Sequence, residues 1–227
     1  MKNVVVLTGA GISAESGLKT FRDADGLWEG HDIIEVASPQ GFYSNPALVL
    51  DFYNQRRKQL LSVQPNKAHL NLKKLEQNFN VTIITQNVDD LHERAKSTNI
   101  IHLHGELLKV RSTKNPNLIY NWNNDLVLGD LCEEKSQLRP HIVWFREEVP
   151  FLEKAAEITL QADILVIIGT SMQVYPAASL INYTKPNIPI YFIDPKPSIS
   201  ENQYNNLTVI KDVASSGTEK LLKLLRD

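Results

Sequence analysis

The chain has 227 residues, 42% hydrophobic and 22% charged, with a formal net charge of −2. That composition suits a globular core and excludes a strong field drawing the protein to nucleic acid or anionic lipid. No apolar run approaches the ~20 residues of a bilayer crossing, and a single cysteine, Cys132, excludes an internal disulfide and a cysteine-rich zinc site.

The N-terminal apolar segment is too short for a secretory leader and runs straight into a glycine loop, so the expected compartment is the cytoplasm. Residues 3–8 are an apolar, β-branched run that predicts a buried parallel strand. It ends in Gly9-Ala10-Gly11, followed by a segment able to start a helix. Such a turn at a strand end offers its amides to a pyrophosphate. The spacing differs from the ordinary dehydrogenase fingerprint, because position 14 is Ala14 and the next glycine is Gly17.

Helical patterns follow over 46–61 and 66–79, then a second strand at 81–85. Residues 107–139 carry many turn-forming residues, with short β-like pieces at 107–111 and 118–122. A helical pattern at 151–162 leads to strands at 164–168 and 190–193, a weaker one at 207–210, and a helix over 217–226. Strands alternating with helices predict an α/β doubly wound parallel sheet. Two insertions, 22–65 and 107–139, are expected to build a small second lobe against a large lobe of residues 1–21, 66–106 and 140–227.

Several strand ends carry chemistry. Gln86, Asn87 and Asp89 follow the second strand, where an open α/β sheet places its ligand. They can bond a carboxamide and ribose hydroxyls, and Asn87 and Asp89 would equally cap a helix beginning at Leu91. His102 and His104 alternate across a strand end, so one faces the cleft as a candidate general base or both are structural. Gly105 predicts close packing beside His104. Residues 139–147 form an apolar extended piece that suits either strand addition by a peptide or a buried edge strand. Gly169-Thr170-Ser171 suits a phosphate or a helix cap, and Asp194 suits a ribose diol. The sites at 9–11, 86–89, 169–171 and 194 would converge on one sheet edge.

Together these segments resemble the sirtuin family of NAD-dependent protein deacylases. The resemblance rests on Gly-Ala-Gly-Ile-Ser (9–13), Ser-Gly-Leu-Lys-Thr-Phe-Arg (16–22), Thr-Gln-Asn-Val-Asp (85–89), His-Gly-Glu (104–106), Arg-Pro-His-Ile-Val-Trp-Phe (139–145) and Gly-Thr-Ser (169–171), and it covers nearly the whole chain. It implies a Rossmann-like large lobe and NAD consumed as co-substrate. It also implies that the acyl oxygen of a modified lysine attacks the ribose as nicotinamide leaves, with His104 as base on the ribose hydroxyls. Asn87 and Asp89 join His104 as implied catalytic residues. Cofactor contact is implied for Gly9, Ala10, Gly11, Ile12, Glu15, Thr20, Phe21, Arg22, Trp28, Gln86, Asn87, Val88, Asp89, Gly169, Thr170, Ser171, Asp194, Pro195, Lys196 and Ala214. Ile142, Val143, Trp144 and Phe145 are implied to bind the acylated-lysine peptide.

Tyr53 and Arg56 are three apart on a predicted helix and share a face. An arginine beside a phenol suits a distal carboxylate, and the pair resembles that of sirtuins removing succinyl and malonyl groups. A solvated arginine beside a core tyrosine is the alternative.

The chain departs from the family at three places. Ser112 stands where the first of four zinc-binding cysteines would fall and only Cys132 remains, so zinc is not expected, and Leu118, Ile119, Trp122, Leu126, Val127 and Leu131 are expected to pack the lobe instead. Arg146 replaces a glycine and Asp194 an asparagine. A monomer with no nucleic-acid or membrane partner is expected. The alternative functions are an NAD glycohydrolase or ADP-ribosyltransferase, and a non-catalytic NAD or ADP-ribose sensor.

Overall fold

The structure is a computed structural model that describes residues 1–19, 27–28 and 30–226, with the backbone alone described at 27–28. In chain order the elements are β1 (Asn3–Thr8), β2 (Leu27–Trp28), β3 (His31–Asp32), α1 (Ile33–Val36), α2 (Pro39–Ser44), α3 (Pro46–Ser62), α4 (Lys67–Leu75), β4 (Asn80–Thr85), α5 (Leu91–Arg94), β5 (Ile100–His102), β6 (Gly105–Ser112), β7 (Ile119–Asn121), β8 (Leu138–Ile142), α6 (Leu152–Leu160), β9 (Ile164–Ile168), β10 (Ile190–Ile193), β11 (Leu207–Ile210) and α7 (Ala214–Leu224).

Six strands form a parallel sheet in the order β11-β10-β9-β1-β4-β5. The apolar runs of the sequence become its strands because both faces are covered. Val4, Val6 and Ile83 pack on one side with α4 and α7, while Val5, Leu7 and Ile84 pack on the other with α6. The register aligns Thr8 with Thr85 and Ile168, and Ile168 with Ile193, so four strand ends finish level. The large lobe is therefore α/β, as its pattern predicts.

A separate three-stranded antiparallel sheet, β7-β6-β8, packs against α1 to α3. Its core joins Phe42, Val49, Phe52, Tyr53 and Leu60 to Leu107, Val110, Leu126, Leu138 and Trp144. Arg57, 1% exposed, ties the helices to this sheet, donating to the Leu107 carbonyl at 3.2 Å and the Asn54 side chain at 2.7 Å.

Some expectations change. After the glycine loop the chain makes two short 3-10 turns, Ala10–Ile12 and Ala14–Ser16, rather than an α-helix, and Gly17 ends them at φ +98°. Of the residues expected to pack the small sheet, Leu126 is buried and Leu118 and Trp122 are half-buried, but Ile119, Val127 and Leu131 face solvent. Val110, Leu138 and Cys132 do that packing instead. Residues 139–147 are extended only to Ile142 within β8, then turn, and Arg146 has φ +73°.

Candidate active site

The four level strand ends carry loops that are stitched together. Gly9 N–H donates to Ile168 O at 3.0 Å, Gly11 N–H to Gly169 O at 2.8 Å, Gln86 N–H to Thr8 O at 2.9 Å and Gly169 N–H to Ile193 O at 3.0 Å. The glycines serve this stitching. A Cβ on Gly11 would lie 2.6 Å from the Gly169 Cα, and one on Gly9 would lie 2.7 Å from the Thr170 Cβ. Gly169 has φ +62°, and a Cβ there would lie 2.4 Å from the Ile12 nitrogen. The loops after β1 and β9 thus interlock backbone to backbone.

Behind this joint Asp89 is buried. Its Oδ2 accepts from Ser13 Oγ at 2.9 Å and its Oδ1 from the Leu91 amide at 3.1 Å. Asp89 therefore takes the first amide of α5, although the N-cap position itself is Asp90, whose side chain makes no capping bond. Burial pushes the Asp89 carboxyl up to about 6, against the two hydrogen bonds that favour the anion. Asn87 Nδ2 donates to Gly9 O and to Ser13 Oγ, each at 3.2 Å, and its amide donates to Thr85 Oγ1. Gln86 Nε2 reaches Thr170 Oγ1 at 3.2 Å across the sheet edge. Val88 is half-buried, its carbonyl taken by the Leu107 amide.

His104 Nδ1 lies 3.0 Å from the Gln86 carbonyl, an obligate acceptor, so Nδ1 carries the proton and Nε2 the lone pair. Burial lowers its pKa, so the ring is neutral near neutral pH. Gly105 packs closely, as expected: a Cβ there would lie 2.1 Å from His141 O.

The remaining candidates spread along the same edge. Glu15 accepts from the Ser215 amide at 2.9 Å, which ties the glycine loop to the first turn of α7 beside Ala214. Asp194, 1% exposed, accepts from the Lys196 amide at 2.8 Å, with Pro195 and Lys196 exposed. Ser171 is half-buried. Thr20, Phe21 and Arg22 lie outside the described residues, as does the side chain of Trp28.

Tyr53 is buried and accepts from Trp144 Nε1 at 2.9 Å. Arg56 NH1 donates to Phe52 O at 2.8 Å and the guanidinium sits 3.9 Å over the Phe52 ring. The Trp144 ring is buried and Phe145 is exposed, while the Val143 amide donates to His104 O and that of Phe145 to Ala37 O. Ile142 O is held by Arg139 and Arg111.

Motif reading assigned no role to the group that fixes this segment. Glu147 binds Arg139 bidentately at 2.6 and 3.0 Å, Arg111 at 3.2 Å and the Trp144 amide at 2.8 Å. Arg139 in turn stacks 3.3 Å over the Trp144 ring. Ser13 lies in a quoted motif without a role of its own, and His102, a candidate base or structural histidine by sequence, proves to face Asn87 O and Glu93 rather than an open cleft. Their partners lie elsewhere in the chain, so no local pattern identifies those pairings.

The donor set suits a dinucleotide. Amide, carboxylate and hydroxyl groups converge beyond the carboxyl ends of β1, β4, β9 and β10, where such a ligand lies in an open α/β sheet. Zinc is a different matter. Ser112 Oγ and Ser136 Oγ lie 2.6 Å apart, with Cys132 Sγ 3.0 Å from Ser136 Oγ. One thiol and two neutral hydroxyls do not fit tetrahedral zinc. Among the described residues no three His, Cys, Asp or Glu side chains converge to hold a metal.

A sequence profile described as Sir2 family matches residues 9–176. An NAD-dependent protein deacylase of Helicobacter pylori (strain ATCC 700392 / 26695) is 67% identical over 196 residues, covering 86% of this chain and 86% of its own. One of Bacteroides thetaiotaomicron is 53% identical over 231 residues, covering 99% and 98%. The crystal structure of a Sir2 homologue with NAD superposes with TM-score 0.87 at 38% identity, covering 99% of this chain and 90% of that one.

Proposed function

This chain belongs to the Sir2 family and is an NAD-dependent protein deacylase, and we propose that it removes succinyl and malonyl groups, with acetyl as a further substrate. The observation carrying this reading is the setting of the Tyr53 phenol. Trp144 donates to its oxygen, and the Arg139 and Arg56 charges act on it with the Glu147 carboxylate opposing them. Burial pushes the phenol well above its ordinary pKa, so it keeps a proton to donate. A neutral phenol donor with the Arg56 guanidinium three residues along the same helix suits a carboxylate at the far end of an acyl chain.

The loops at 9–12, 86–89 and 169–171, with Asp194, would hold NAD. When bound, it supplies an activated ribose carbon that takes the acyl oxygen as nicotinamide departs. Asn87 and Asp89, braced by Ser13, suit recognition of the nicotinamide amide. His104 Nε2 suits removal of a ribose hydroxyl proton while Gln86 O holds the ring's orientation. The exposed edge at Phe145 suits the peptide. The enzyme is proposed to act as a cytoplasmic monomer.

Mass spectrometry of matched acetyl-, succinyl- and malonyl-lysine peptides, with and without NAD, tests the reading. NAD-dependent loss of succinyl with nicotinamide release is expected. Turnover of acetyl alone would refute the acyl assignment, and NAD binding without turnover would favour the sensor function. Arg56→Met should cut desuccinylation about 10- to 100-fold while leaving deacetylation within about threefold. Equal losses would remove the carboxylate receptor.

A further inference from the structure

His102 ends β5, two residues before the base, and its surroundings are the reverse of those of His104. Its Nδ1 lies 3.1 Å from the Asn87 carbonyl and its Nε2 lies 2.7 Å from Glu93 Oε1. Both neighbours are oxygens, and the carbonyl can only accept. A singly protonated ring would turn one lone pair toward an oxygen, whereas an imidazolium donates to both. His104 meets one backbone acceptor at Nδ1 and keeps its other nitrogen as a lone pair.

We propose that Glu93 holds His102 as an imidazolium and that His102 is a positioning residue for the loop carrying Asn87 and Asp89. The inference rests on the proposed role of that loop. Asn87 is fixed on its other sides by Gly9 O, Ser13 Oγ and Thr85 Oγ1. His102 closes the last side by clamping the carbonyl.

The charges around the ring agree with this. Glu93 from α5 and Glu106 from β6 favour the charged ring, and burial opposes it. Lys109 is ion-paired with Glu106 and also acts on Glu93. His92, on α5, is held neutral by burial with help from His69 and His102, and so adds no competing charge. His102 in turn favours the Asp89 anion. The outcome is two histidines of opposite protonation, one a base and one a fixed donor.

Nitrogen-15 NMR of the histidine rings in the full chain near neutral pH reads the claim without turnover. His102 should show two protonated nitrogens and His104 one. Glu93→Gln should return His102 to the neutral ring. A lone pair on His102 in the wild-type protein would overturn the proposal, even if Leu substitution prevented folding. In kinetics, His102→Leu should lower kcat for nicotinamide release about tenfold or more, with NAD affinity within about threefold. His102→Asn places an amide donor near the former Nδ1 and should recover most of that loss. Equal turnover of the Leu and Asn variants would also overturn it. Nicotinamide release on an acetyl peptide serves if desuccinylation is absent, so failure of the acyl assignment stays separate.

Discussion

Replacing Glu147 with Gln tests whether one carboxylate organises the segment from Ile142 to Glu147. Gln keeps the shape and one acceptor oxygen but removes the charge. Arg139 and Arg111, with side chains 10% and 14% exposed, would then face each other without their shared anion. Removing one partner of a buried pair costs about 3–5 kcal/mol. Glu147 is 21% exposed and Gln retains an acceptor, so about 2–3 kcal/mol is expected here. For a chain of this size that lowers Tm by about 5–10 °C. Scanning calorimetry provides the assay. The pH dependence supplies a second check. The two arginines and the Trp144 amide hold the Glu147 pKa below its ordinary 4.5, so its contribution is complete above that value. It is lost as pH falls through the lower folded value, and the difference between wild type and Glu147→Gln should disappear there. Because Arg139 stacks on Trp144, which holds Tyr53, desuccinylation should fall more than NAD affinity. A Tm within about 1 °C of wild type would refute the reasoning.

His104→Ala should reduce deacylation by about 100-fold or more while NAD still binds, and a variant keeping most of its turnover would remove the base assignment. Gly169→Ala should cost about 3 kcal/mol and weaken NAD binding, since it combines left-handed strain with contact against backbone that cannot give way, as denaturant melts would show. Elemental analysis should find no stoichiometric zinc, and one zinc per chain would show that Ser112, Cys132 and Ser136 have been misjudged as a hydrogen-bonded cluster.

What could be read from the sequence follows the range of the forces involved. β1, β9 and β10 were legible to the residue, because strands buried on both faces are continuous apolar runs, and the edge strand β11, exposed at Thr208, gave the weaker signal. The strand-end motifs followed from them. The short helices α1 and α2 were not separately legible. Their starts depend on capping by Asp32 and Ser38 rather than on a long apolar stripe. Ile119, Val127 and Leu131 were misplaced because hydrophobicity alone does not say which side of a short strand or loop meets the core. The roles of Glu147 and His102 could not be read from the segments that contain them, because those roles lie in partners brought close only by folding.

The interlocked glycines have a consequence for how substitutions at this edge can accumulate. Gly11 and Gly169 fill each other's missing side chains and Gly9 sits against Gly169 O and Thr170, so none can gain a methyl group unless the two loops part. The 169–170 segment therefore constrains both Gly9 and Gly11, although it is far from them in sequence. The contact also joins two strand ends directly, backbone to backbone. A ligand lying across it meets a surface to which both loops contribute, and a displacement of the β1 loop must break the Gly11–Gly169 bond or carry the β9 loop with it.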